Sequence, residues 1–83
     1  MNTFSLTIST ASKIYFSGAA VYCGVTTLKG AIGFEAHHEN FFGVLADNST
    51  IEYKDSSGEE NSIDFKSGMI SFQNNRCIIT LSD

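Results

Sequence analysis

The stretch Ser49-Thr50-Ile51-Glu52-Tyr53-Lys54-Asp55-Ser56-Ser57-Gly58-Glu59-Glu60-Asn61-Ser62-Ile63-Asp64-Phe65-Lys66 decides the fold class. Apolar and polar residues alternate in both of its arms: Ile51 and Tyr53 in the first, Ile63 and Phe65 in the second. A period of two sends successive side chains to opposite faces of a strand, so each arm reads as a half-buried strand. Between them, Asp55-Ser56-Ser57-Gly58-Glu59 is the clearest turn signal in the chain, because Asp and Ser side chains bond their own backbone and Gly tolerates positive φ. The prediction is a hairpin with Ile63 and Phe65 on its core face.

The same period continues in both directions. Toward the C-terminus, Ser67-Gly68 leads into a strand in which Ile70 and Phe72 share a face. Asn74-Asn75 reads as a second hairpin turn, since Asn accepts positive φ, and Cys77-Ile78-Ile79-Thr80-Leu81 follows as a closing strand. Toward the N-terminus, Phe4, Leu6 and Ile8 alternate with Ser5, Thr7 and Ser9. Ile14 and Phe16 repeat the pattern, and Ser17-Gly18 marks its expected end. A further strand is expected over residues 19–25, stopping before Thr26-Thr27. Gly30 and Gly33 bracket Ala31-Ile32, and Phe41-Phe42-Gly43-Val44-Leu45 is a short apolar run. Helical periodicity is nearly absent. Eight to ten short strands about eight residues apart is the spacing of an all-β sandwich or barrel.

Composition bounds what such a domain does. Eighty-three residues make one domain, residues 1–83, with no room for a cleft between two. The 42% hydrophobic content suits a folded chain rather than a disordered one. Net charge is −4, unevenly spread. Lys13 and Lys29 stand alone in the first 34 residues, whereas residues 35–64 hold eight acids against Lys54. With no Lys/Arg cluster to release counterions, nucleic acid is excluded as a partner, and the acids read as a solvated face. The N-terminus has no basic segment followed by an apolar run, and nothing approaches the roughly 20 apolar residues of a membrane span. The expectation is a cytoplasmic protein in which Cys23 and Cys77 are reduced, buried small hydrophobes, the alternative being one disulfide between them in a secreted chain.

Chemistry-bearing motifs are few. His37-His38-Glu39 invites a metal reading, but adjacent strand residues face opposite ways and no CxxC or HxxxH spacing supplies further ligands. The alternative is a polar loop or strand edge. No serine sits in a GxSxG turn, and Gly30-Ala31-Ile32-Gly33 lacks the Lys-Ser/Thr pair of a phosphate loop. Two glycines three apart in a β context mark positive φ or a close approach of strands. No catalytic residue, cofactor or metal is expected.

The order of these features resembles the N-terminal β-sandwich domain of the epsilon subunit of F-type ATP synthases. The shared sequence of marks is Phe16-Ser17-Gly18, a strand ending at Val25, Gly30-Ala31-Ile32-Gly33-Phe34, and His38 before an apolar run. It continues through the turn at residues 55–58, Ser67-Gly68-Met69-Ile70, Asn74-Asn75 and Ile78-Ile79-Thr80-Leu81-Ser82-Asp83. The resemblance implies a flattened sandwich of two antiparallel sheets. It implies a non-catalytic subunit of the rotary central stalk that links the gamma subunit to the c-ring in proton- or sodium-driven ATP synthesis. That places the chain at the inner face of an energy-transducing membrane, held there by the complex without inserting.

Carried over by residue, residues 29–32 and 36–40 would face the ring, with Lys29, Ala31 and Ile32 as contacts. Thr10, His38, Phe42 and Gly43 would face gamma, with a buried, hydrogen-bonded strand position as the alternative for His38. Departures are plain. Ala36-His37-His38-Glu39-Asn40 stands where the family has Pro-Gly-His-x-Pro, and Ser67-Gly68 where it has Gly-Gly. Proline is absent, where about four would be average. The family's C-terminal helical hairpin, which carries regulatory inhibition, is expected to be absent, so neither inhibition nor ATP binding is assigned. A free-standing β-sandwich binding module outside the synthase is the alternative reading.

Overall fold

A computed structural model describes residues 2–82 and contains eight strands joined by turns. They are β1 (Phe4–Ser9), β2 (Ile14–Thr27), β3 (Gly30–Phe34), β4 (Phe41–Val44), β5 (Thr50–Asp55), β6 (Glu60–Asp64), β7 (Gly68–Gln73) and β8 (Arg76–Leu81). The hairpin predicted over residues 49–66 is present, with Lys54 paired to Glu60 and Thr50 to Asp64. Asp55 forms its turn as expected. One carboxylate oxygen, Oδ1, accepts from the Ser57 hydroxyl at 2.6 Å, the Ser57 N–H at 2.9 Å and the Glu59 N–H at 3.1 Å. Asn74 and Asn75 both adopt positive φ, 53° and 59°, and close the β7–β8 hairpin.

Hydrogen bonding runs β4-β7-β8-β1-β2-β5-β6, with β3 also on β2. β2 is the hinge of this arrangement. Its first half pairs with β1, and its second half with β3 and β5. Cys23 and Gly24 pair with both β3 and β5, so those two strands occupy opposite edges of β2. One layer is therefore β4-β7-β8-β1-β2 and the other β3-β2-β5-β6. At the far end of β2 the layers meet again. Ala46 N–H donates to the Thr26 carbonyl at 2.8 Å, and Leu28 N–H to the Val44 carbonyl at 3.3 Å. The body measures 32 × 25 × 19 Å, a flattened sandwich.

Two expectations are corrected here. Ser17-Gly18 does not end a strand. Ser17 pairs with Thr7 and Gly18 with Leu6, and β2 runs on through both for 14 residues. Gly18 keeps strand geometry, so its missing side chain breaks nothing, and the register shift falls instead between Ala20 and Tyr22. Nor are the sheets wholly antiparallel, because β1 and β8 pair in parallel, Ser5 with Arg76 through Ser9 with Thr80. Alternation reports which face a residue occupies but not the direction of the neighbouring strand.

The core lies between the layers. Phe4, Leu6 and Ile8 of β1, Phe72 of β7, and Cys77, Ile79 and Leu81 of β8 face Cys23, Val25, Phe34, Ile51 and Tyr53. Ile63 and Phe65 pack against it half-buried, as predicted. The cysteines are buried and free. Phe34 is central. Its ring stacks on Phe72 with centroids 5.4 Å apart and contacts Phe41 at 5.6 Å and His38 at 4.6 Å. No helix among the described residues is long and apolar enough to cross a membrane.

Candidate partner-binding face

Alternation that puts Phe72, Cys77 and Ile79 inward must put their neighbours outward. Cross-strand register assembles those neighbours into rows across β4, β7, β8, β1 and β2. One row runs Phe42, Ser71, Ile78, Thr7, Ser17, and the next Val44, Met69, Thr80, Ser9, Ile14. A third begins at Gln73 and continues through Arg76 and Ser5 to Ala19. Arg76 is the one charged side chain in these rows. Phe42 is 67% exposed, Met69 62%, Val44 48% and Ile78 41%. Ile14 is equally open at the far edge. Leu28 joins the rim, held beside Val44 by its backbone bond and 73% exposed.

The outer face of the other layer is different in kind. Glu52, Glu60 and Asp64 project there around Lys54, and Thr50 donates to Asp64 at 2.7 Å. These acids are the solvated face expected from sequence. One side of the sandwich is thus charged, and the other is apolar and hydroxyl-bearing. Scattered exposed hydrophobes need no explanation, whereas Phe42, Val44, Met69 and Ile78 stand aligned on three neighbouring strands.

The residues singled out from sequence are distributed around this face. Phe42 lies on it. Gly43, the next residue of β4, faces inward beneath the Phe41 ring, where an added Cβ would stand 2.9 Å from Phe41 Cε2. His38 sits just before β4. Its ring packs on Phe34 and on Phe72, the latter at 5.5 Å, and its Nδ1 lies 2.7 Å from the Glu39 carbonyl oxygen. Thr10 is a turn-former: its Oγ1 accepts from the N–H groups of Ser12 at 3.2 Å and Lys13 at 3.1 Å.

Lys29 belongs to the β2–β3 turn at the opposite end of β4 from His38, and its N–H donates to Thr27 Oγ1 at 3.1 Å. Gly30 takes φ of 117° in that turn, a conformation few side chains allow. Ala31 is exposed on the charged side of the sandwich opposite Thr26, and Ile32 packs half-buried against the core. The structure therefore brings Phe42 together with Val44, Met69 and Ile78. It sets His38 and Lys29 at the two ends of β4, and leaves Thr10 at the β1–β2 turn.

The histidine pair is a turn rather than a strand. His37 has φ of 65°, its N–H donates to Asn75 Oδ1 at 2.7 Å, and His38 N–H donates to the Glu35 carbonyl at 3.2 Å. The strand argument against convergence does not apply to this segment. Among the described residues, no group of three or more His, Cys, Asp or Glu side chains could hold a metal ion.

The fold is a β-sandwich with one outer side charged and the other largely apolar and hydroxyl-bearing. The chain belongs to the family of the ATP synthase delta/epsilon chain, beta-sandwich domain, which it matches over residues 3–83. Among solved structures, it is similar to a chain of the Euglena gracilis mitochondrial ATP synthase OSCP/F1/c-ring assembly, with a TM-score of 0.81 and 16% identity. That match covers 96% of this chain and 49% of the other. It is also similar to a chain of the Tetrahymena thermophila mitochondrial ATP synthase central stalk and c-ring, with a TM-score of 0.76, 16% identity, and 95% and 63% coverage. The chain thus spans about half to two thirds of the length of these relatives, and at this identity the likeness is one of fold. Among curated protein sequences none matches.

Proposed function

We propose that this domain is the β-sandwich part of a central-stalk subunit of F-type ATP synthase, binding the gamma subunit and the c-ring and catalysing nothing itself. The observation that carries the proposal is the apolar and hydroxyl-bearing face of β4, β7, β8, β1 and β2, charged only at Arg76, in a chain of the delta/epsilon family. A rotor component must hold its neighbours without slipping, and burial of a broad rigid sheet face does so through many non-directional contacts. In this reading Phe42, Val44, Met69 and Ile78 are covered by gamma, with Thr10, His38 and Gly43 near its margins. The β2–β3 turn with Lys29, Ala31 and Ile32 is turned to the ring. The domain sits at the membrane surface through the complex.

The test is calorimetric titration of the folded domain with the cognate gamma subunit, for the natural chain, Phe42→Asp and Glu52→Lys. Burying a phenylalanine is worth roughly 1.5–3 kcal/mol, so Phe42→Asp should weaken binding by at least about tenfold. Its melting temperature should stay near that of the natural chain, because Phe42 is outside the core. Glu52→Lys, on the opposite face, should leave affinity within about twofold. A folded natural chain that gives no binding to gamma would overturn this reading in favour of a free-standing module.

A further inference from the structure

The core contains a pair of groups with chemistry of their own. Cys23 and Cys77 both have no solvent exposure and both carry free thiols. They come from opposite layers. Cys23 lies in the second half of β2, opposite Phe34 on β3 and Tyr53 on β5. Cys77 lies on β8, opposite Phe72 on β7 and beside Leu6 on β1. Each cysteine therefore has a phenylalanine as its cross-strand neighbour, and directly opposed residues keep their Cβ atoms about 4.5–5.5 Å apart. Those two phenylalanines stack across the layers, centroids 5.4 Å apart and planes 9° from parallel. Two cross-strand pairs thus meet face to face, ring on ring and, one strand over, sulfur toward sulfur. Bonding to the Cys77 thiol, foremost, and burial push the Cys23 thiol up.

We propose that Cys23 and Cys77 form a cross-sheet dithiol that exchanges with small-molecule disulfides of the glutathione type, and that its oxidised form staples the two layers together. One cysteine, as thiolate, attacks the external disulfide. A protein mixed disulfide forms and one small thiolate leaves. The second cysteine attacks the protein sulfur of that mixed disulfide, the intramolecular S–S bond forms, and the second small thiolate leaves. The two protons lost by the cysteines end on the two leaving thiolates, and the two electrons reduce the external disulfide. Burial confines the exchange to opened molecules or to folding, after which the closed core shields the bond. Oxidation would leave the outer faces as they are and restrain the sliding of one sheet over the other.

The experiment is to unfold the chain in urea, refold it into glutathione buffers of graded reduced-to-oxidised ratio, quench with acid and weigh it. Refolding to equilibrium removes any limit set by access to the buried thiols. Folded chains should lose two hydrogens, about 2 Da, at ratios at least about tenfold more reducing than those that oxidise the chain kept in urea, because folding presents the two sulfurs to each other. Closing the loop from residue 23 to residue 77 should raise the melting temperature by at least about 10 °C over the dithiol form. Cys77→Ala should show neither the mass loss nor the shift. A folded chain that keeps both thiols at ratios that oxidise the unfolded one overturns the proposal. So does an oxidised form that melts lower than the reduced one.

Discussion

Gly68 opens β7 where three elements converge, and its lack of a side chain is required by its surroundings. It pairs with Leu81, and its carbonyl accepts the Leu45 N–H at 2.9 Å, fixing the end of β4. A Cβ placed there would lie 2.6 Å from Leu81 Cδ2, 2.9 Å from the Thr80 carbonyl oxygen and 3.3 Å from Leu45 Cδ1. The leucine methyls can turn aside at some loss of core contact. The Thr80 carbonyl cannot, because it is backbone in the register that also seats Met69 against Thr80 and Ile70 against Ile79. Overpacking of this kind costs about 1–3 kcal/mol, offset by about 0.4–1 kcal/mol from stiffening the unfolded chain. Gly68→Ala should thus lose about 1–2 kcal/mol, a fall in melting temperature of roughly 5–15 °C for a domain this size.

The comparison variant is Gly18→Ala. An added Cβ there meets only the Phe16 ring, at 3.5 Å from Cζ, and so it should melt at or a few degrees above the natural chain. Thermal melts followed by circular dichroism at one pH measure both. If Gly68→Ala melts within about 2 °C of the natural chain, the backbone contact does not constrain β7 and the reasoning fails. If the two variants fall equally, the loss is generic to strand glycines rather than local.

Three further outcomes are expected. The Asp55 carboxyl is held below its ordinary 3.8 by the Ser57 hydroxyl foremost and by the N–H groups of Glu59, Ser57 and Gly58. The unfolded chain therefore protonates first, and the stabilisation is complete above about pH 4 and lost as pH falls through the lower folded value. Asp55→Asn should be less stable near pH 7 and lose less on acidification, as read by urea denaturation across that range. The Tyr53 phenol is held above its ordinary 10.0, by burial first and then by Asp55 and Glu59. Its contribution is present below about pH 10 and lost as pH rises through the folded value, so Tyr53→Phe should flatten the alkaline decline of stability. Phe72→Ala removes a fully buried ring in contact with Phe4, Phe34 and His38, and should cost about 3–5 kcal/mol, enough to leave the domain largely unfolded near 37 °C by near-ultraviolet signal.

The hairpins were legible because their signals are local. Asp55 through Glu59 and Asn74-Asn75 fold through side-chain bonds and positive φ within a few residues, and alternation in the arms then fixes the register. The long bent β2 was not legible. Nothing near Ser17-Gly18 announces that β1 waits alongside to pair with both residues, and that pairing is what keeps the strand running. The parallel contact of β1 with β8 escaped for the same reason, since it joins residues some 70 positions apart. His37-His38 was open between loop and strand, and tertiary contact chose: Asn75 accepts the His37 N–H from a turn 38 residues away.

The apolar outer face left a trace in the sequence that alternation alone could not interpret. A half-solvated strand reads as Ile51-Glu52-Tyr53 does, apolar inward and charged outward. Phe41-Phe42-Gly43-Val44-Leu45, Met69-Ile70 and Cys77-Ile78-Ile79 do not alternate, which means that both faces of their strands are apolar. Period two places the odd and even residues on opposite faces without saying which set is the core. That choice is made across the sheet. Phe72 stacks on Phe34 of the other layer, so β7 turns Ile70 inward and Met69 outward, and pairing then carries Val44, Phe42 and Ile78 outward with it. A strand apolar on both faces must be covered on both sides to be fully buried, yet this domain covers only one of them. The places where alternation breaks down in β4, β7 and β8 are thus the sequence record of the apolar outer rows that carry Phe42, Val44, Met69 and Ile78.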